Sequence, residues 1–172
     1  LIAINFSRSA TEAEQTADEI KNLGQQTILV KADVSKKSEV ETMASEVLKR
    51  FNKIDILVNN AGICTICPFE DFPEEEWDRN IDVDLKGVFL CSQIFGKEMI
   101  RQKYGNIINI SSIASDLAFP KHSAYCAAKA GVNALTKVLS IEWAKHNIRV
   151  NAIAPGFILT ELVESFIKTG VR

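Results

Sequence analysis

Short runs rich in β-branched and apolar residues recur five times along the chain, at residues 1–6, 26–31, 54–59, 106–111 and 148–152, and longer stretches with helical patterning separate them. Parallel neighbours need a crossover long enough to hold a helix, so this alternation predicts a parallel sheet with helices on its faces. The runs are dense in Ile, Val and Leu without clean alternation, which predicts strands covered on both sides. The expected class is therefore α/β, a doubly wound and mostly parallel sheet, in one domain covering residues 1–172.

Four helices are expected between the strands. Thr11 and Glu14 have capping-box spacing at the start of the first, and Gly24 marks its end. The third begins at Pro73, with Glu74, Glu75 and Glu76 in a first turn where carboxylates oppose the helix dipole.

Composition narrows the partners. With 47% apolar and 24% charged residues, 172 residues suffice for one soluble globular core. The net charge of -2 comes from intermixed acids and bases, without a basic face, so nucleic acid is a poor candidate. No apolar stretch approaches the roughly 18 residues of a membrane span, and no membrane association is expected; a cytoplasmic protein is. Of four cysteines, Cys64 and Cys67 form a lone CxxC, while His122 and His146 stand apart. Free thiols are the expected reading over a redox pair or half a zinc site, and no metal site is expected.

In doubly wound sheets ligands bind beyond the carboxyl ends of the strands. Tyr125-Cys-Ala-Ala-Lys129 lies shortly after the fourth run, with Ser112 at that run's end. Positions i and i+4 share a helix face, so the Lys129 ammonium is expected near the Tyr125 phenol, favouring its ionised form and bringing it towards working pH. Ser112 is then placed to hydrogen-bond a substrate oxygen. Taken singly, each has a plainer account: an interface tyrosine, a solvated lysine, a turn serine.

Together, Ser112, Tyr125-x-x-x-Lys129, Asn59-Asn60-Ala61-Gly62 and Pro155-Gly156 resemble the short-chain dehydrogenase/reductase family, in its order and spacing, over nearly the whole chain. The resemblance implies a Rossmann-like oxidoreductase that moves hydride between a nicotinamide dinucleotide and a carbonyl or secondary alcohol, similar to the 3-oxoacyl-acyl-carrier-protein reductase and polyol or sugar dehydrogenase branches. It implies that Tyr125 is the acid/base, that Ser112 orients substrate, and that Lys129 binds the nicotinamide ribose. Asn60, Ala61 and Gly62 would line the adenosine ribose. Pro155, Gly156, Ile158 and Thr160 would hold the carboxamide. Asp33, with Val34 beside it, would meet the adenine, although Asp33 or Ser35 also suits a helix cap.

After the first run, where NAD-using relatives usually carry an acid, this chain has Ser7, Arg8 and Ser9. A guanidinium and hydroxyls suit a 2′-phosphate, so NADP is expected ahead of NAD.

Three departures qualify the resemblance. Asp84 stands where the family has its fourth catalytic residue, an asparagine; it accepts hydrogen bonds but cannot donate as an amide does. The chain opens at what resembles the family's second strand, and no glycine-rich G-x-x-x-G-x-G turn occurs. Its end precedes the family's last helix and strand. The expectation is a fragment of a longer enzyme, with a gap in mid-sheet between residues 1–6 and 54–59, and a non-catalytic relative of the same fold is the alternative. Homo-oligomerisation, as a homotetramer, is implied by the resemblance, with Val88, Phe89, Ile94 and Phe95 as candidate contacts.

Overall fold

The structure is a computed structural model and describes residues 1–159. Two parallel sheets carry the fold. The first pairs β1 (Ile2–Phe6) with β2 (Thr27–Lys31) across α1 (Ala10–Asn22). The second has the order β3-β4-β5, from β3 (Ile56–Asn59), β4 (Gly105–Ile110) and β5 (Ile148–Ile153). Between the sheets runs α2 (Lys37–Phe51), and between β3 and β4 lie α3 (Glu74–Ile81), a π turn (Asp82–Lys86) and α4 (Gly87–Gln102). Finally, α5 (Ser123–Trp143) connects β4 to β5.

The parallel α/β class expected from the alternation is present, and so is the expected mid-sheet gap. A cleft of about 830 Å³ separates β1 from β3, with Ile2 and Ile4 on one wall and Ile56 and Val58 on the other. The strands flanking it are consequently not covered on both sides: Ile56 is 58% and Val58 52% exposed. One apolar core nevertheless spans the cleft's ends, because Val40, Met43 and Val47 of α2 join Leu90, Phe95 and Met99 of α4 against Ile107 and Ile148.

Several helix ends differ from their sequence signals. Thr11 does not cap α1; the N-cap is Ser9, without a side-chain bond, so Thr11 lies inside the first turn. Asn52 and Lys103, both in left-handed backbone (φ 61° and 55°), end α2 and α4 where glycine would be usual. Gly24 does take the left-handed conformation after α1 (φ 78°). The π turn splits what read as one long helix after Pro73, and in it the Gly87 amide reaches back to the Asp82 carbonyl.

A polar chain threads the second sheet. Asn59 donates to Ser92 Oγ (3.1 Å) and Asn109 Oδ1 (2.8 Å), and Asn109 donates to Thr136 Oγ1 (2.8 Å). These groups are buried, so each bond removes a desolvation penalty on the order of 1–3 kcal/mol.

Candidate active site

Within each sheet the strands run parallel, so the segments following them gather at that sheet's carboxyl edge: Ser7 and Arg8 after β1 with Asp33 and Val34 after β2, and Asn60 to Gly62 after β3 with Ser112 after β4 and Pro155 to Ile158 after β5. The post-β4 and post-β5 segments are tied directly, the Ile113 amide donating to the Pro155 carbonyl (3.1 Å).

Ser112 is extended (φ -163°, ψ 157°), and its Oγ accepts from the Ala114 amide at 3.1 Å, opening a 3-10 turn. That bond uses one acceptor lone pair and leaves the hydroxyl proton available to donate. Tyr125 sits in the first turn of α5, and Lys129 one turn later brings its Nζ to 5.4 Å from the tyrosine ring centroid. The expected face is shared.

The electrostatics differ from the sequence expectation. The Tyr125 phenol is pushed above its ordinary value, first by burial; Ser112's hydroxyl works against this, while Asp84, Cys64 and Cys126 add to it. Lys129 does not prevail because its ammonium is committed elsewhere: it donates to the Ile110 carbonyl (2.9 Å) and lies 3.5 Å from Asp84 Oδ2. Lysine and aspartate are both sealed from solvent, at 4% and 0% exposure.

Asp84 reaches this position from the π turn. Its Oδ1 accepts from the Ile63 amide (2.8 Å), while Oδ2 is buried without a hydrogen-bond partner. Burial pushes its carboxyl up, offset in part by Lys129 and then by the Ile63 amide. Gly62 gives this pair room, since a Cβ there would lie 3.2 Å from Asp84 Oδ2, a tight contact, and 3.4 Å from Lys129 Nζ. Asn80, one turn earlier, does not substitute for Asp84. Its side chain instead accepts from the Thr65 amide (3.2 Å) and donates to Thr65 Oγ1 (2.9 Å), fastening the loop after β3.

Among the residues assigned to the dinucleotide, Arg8 is exposed, and its charge helps hold Asp33's carboxyl below its ordinary value, behind the larger effect of the Ser35 hydroxyl. Asp33 Oδ1 accepts from both the amide and hydroxyl of Ser35 (3.0 and 2.6 Å), closing a local turn; it does not cap α2, whose N-cap is Lys36. Val34 is buried, its side chain close upon Gly87, so only its backbone is available to a ligand. Asn60, Ala61, Gly62, Gly156 and Ile158 are exposed; Thr160 lies outside the described residues. An exposed guanidinium beside hydroxyls, and backbone open along the carboxyl edge, fit an anionic dinucleotide.

The CxxC offers no reactive thiolate at Cys64, whose thiol burial pushes up to about 12. Cys67 Sγ donates to the Asp71 carbonyl (3.4 Å), and among the described residues no cluster of three metal-ligating side chains occurs. No described helix is long and apolar enough to cross a membrane. Sequence reasoning missed Asn109; an asparagine set between isoleucines in an apolar strand was the available signal.

The short chain dehydrogenase family profile matches residues 2–169. The chain belongs to the short-chain dehydrogenase family. It is 48% identical over 136 residues to an NAD-dependent glycerol dehydrogenase of Listeria innocua, covering 79% of this chain and 54% of that protein. It is 42% identical over 164 residues to the 3-oxoacyl-[acyl-carrier-protein] reductase FabG of Staphylococcus epidermidis, covering 95% and 67%. Among solved structures, a gluconate 5-dehydrogenase from Burkholderia cenocepacia in complex with NADP and tartrate superposes with a TM-score of 0.89 at 36% identity, covering 96% of this chain and 65% of that one. An acetoin dehydrogenase from Salmonella typhimurium gives 0.87 at 37%, covering 94% and 64%. The chain thus spans between about half and two thirds of the length of these relatives.

Proposed function

We propose that the protein is an NADP-dependent oxidoreductase interconverting a small-molecule carbonyl and a secondary alcohol, with Tyr125 as acid/base. The observation that carries this is the grouping of Ser112, Tyr125 and Lys129 beyond the end of β4, with Lys129 Nζ 5.4 Å from the Tyr125 ring and the Ser112 hydroxyl near enough to act on its phenol.

Ser112 donates its hydroxyl proton to the substrate oxygen and fixes that oxygen against Tyr125. A reduced nicotinamide dinucleotide, when bound, would supply the hydride, a proton with two electrons, that the carbonyl carbon takes up. As the C=O π pair moves onto oxygen, Tyr125 gives that oxygen its phenolic proton, and the phenolate is reprotonated from solvent. In the oxidation direction the phenolate takes the alcohol proton. Lys129 and the backbone of Asn60 to Gly62 and Pro155 to Ile158 would hold the dinucleotide, and Thr160 belongs to the same assignment. Ser7 and Arg8 would take a 2′-phosphate, and Asp33 with Val34's backbone the adenine. NAD remains the second cofactor, since the glycerol dehydrogenase relative is named for it.

Self-association belongs to the same reading. Of the four candidate contacts, Val88 is buried, Phe95 is buried in the core and Ile94 packs beside it, leaving Phe89 (44% exposed) with Val138 and Ile141 of α5 (49% and 79%) to meet a second copy. A homotetramer in the cytoplasm is the proposed state, checked by light scattering and fractionation.

Fluorescence titration of NADPH and NADH tests the cofactor, on this chain and on a version extended by the family's amino-terminal strand and glycine-rich turn. NADPH binding by the extended chain, followed by oxidation of NADPH with a carbonyl panel, is expected. Binding of neither nucleotide by the extended chain would overturn the proposal.

A further inference from the structure

Asp84 is a carboxylate where a neutral amide would satisfy the same backbone contact, since an asparagine Oδ1 accepts the Ile63 amide as well. What the second carboxylate oxygen adds is a negative charge 3.5 Å from Lys129 Nζ, in a pocket that solvent does not reach. Oδ2 has no hydrogen-bond partner, and Gly62 leaves room for the pair by lacking a Cβ.

We propose that Asp84 is a positioning residue that acts on Tyr125 through Lys129: its carboxylate absorbs the ammonium's charge, keeps the tyrosine a proton donor, and sets the site for carbonyl reduction over alcohol oxidation. This rests on the reading of Tyr125 as acid/base given above. Burial raises the phenol first; Ser112 after β4 opposes that rise, while Asp84 from the π turn, Cys64 in the loop after β3 and Cys126 beside the tyrosine on α5 add to it, and Lys129, within 5.4 Å of the ring, does not bring the phenol back to its ordinary value. An uncompensated ammonium at that range would draw the phenol down. Screening in this pocket comes from a fixed countercharge, because neither partner is hydrated.

The test reads Tyr125 directly. The chain has two tyrosines, so Tyr104→Phe, at an exposed position, leaves Tyr125 as the only phenol. Phenolate absorbance is followed between about pH 7 and 11 in this chain, with circular dichroism reporting folding. Asp84→Asn is expected to lower the Tyr125 midpoint by about one pH unit or more. Lys129→Met is expected to move it by less than about half a unit, because an aspartate stripped of its partner takes up a proton and the pair is neutral either way. An unmoved midpoint in Asp84→Asn overturns the proposal, and so does a rise of about a unit or more in Lys129→Met, which would show that the lysine's charge had been reaching the phenol. If Asp84→Asn does not fold, the Lys129→Met measurement decides alone.

Kinetics give the second reading. At neutral pH, alcohol oxidation by Asp84→Asn is expected to rise about tenfold per unit of midpoint shift, with the limb of the pH profile moving to lower pH. A midpoint shift without any turnover defeats the oxidoreductase reading and leaves the electrostatic coupling standing. Turnover with an unmoved profile does the reverse.

Discussion

Asn59 at the end of β3 and Asn109 in β4 join side chain to side chain at 2.8 Å, and both are buried within the sheet. The bond locks the strand that leads into the Asn60 to Gly62 segment to the strand that leads into Ser112. Asn109→Ala removes the acceptor from Asn59 and the donor from Thr136 in one step. A loss of about 1–3 kcal/mol is expected in urea unfolding, with Thr136→Val in the same background adding less than it does alone.

Gly96 in α4 meets the Trp143 ring of α5 so closely that an added Cβ would overlap it. Gly96→Ala gains helix propensity on α4, yet the overlap must be relieved by shifting a packed indole. Net destabilisation of about 1–3 kcal/mol is expected, accompanied by a change in tryptophan emission. Pairing it with Trp143→Leu is expected to recover much of the loss.

Asp33 gives a pH signature. Its carboxyl is held below the ordinary value of 3.8, first by the Ser35 hydroxyl. The unfolded chain therefore takes up this proton at higher pH than the folded one. Asp33's contribution to stability is complete above the unfolded value and is lost as pH falls through the depressed folded value. Thermal melts of Asp33→Asn are expected to lose part of the acid-side slope and to converge on the parent's at the lowest pH.

Tyr125 and Ser112 separate binding from chemistry. Tyr125→Phe is expected to lower kcat by about 10²–10⁴-fold with NADPH affinity little changed, because the phenyl ring keeps the packing and loses the proton. Ser112→Ala is expected to lower kcat by on the order of 10²-fold. Equal losses in nucleotide affinity would contradict these assignments.

The strands were legible because apolar runs are local, and Tyr125 and Lys129 because the i to i+4 relation is fixed by the helix itself. Three features were not legible. The capping box at Thr11 and Glu14 is a local pattern, but α1 starts one residue before Thr11, and nothing in the sequence weighs Ser9 against Thr11. The gap beside residues 54–59 was expected, yet the apolar runs predicted strands covered on both sides, and the exposure of Ile56 and Val58 next to that gap is set by topology. The diversion of Lys129 from Tyr125 needs Asp84 brought in from another element, and spacing within α5 carries no trace of it.

The π turn at Asp82–Lys86 has a bearing on how the sequence tolerates change. One residue too many for a regular helix is wound into it, so α3 and α4 are out of phase by about 100° relative to a continuous α-helix. Asn80 before that discontinuity and Asp84 within it face the loop after β3, and Leu90, Phe95 and Met99 beyond it face the core. Deleting a single residue here would straighten the helix and turn one of these sets away from its partners. Length at this point is thus a coded quantity: point substitutions along 82–86 perturb a contact, whereas a frame-preserving deletion rearranges an entire helical face.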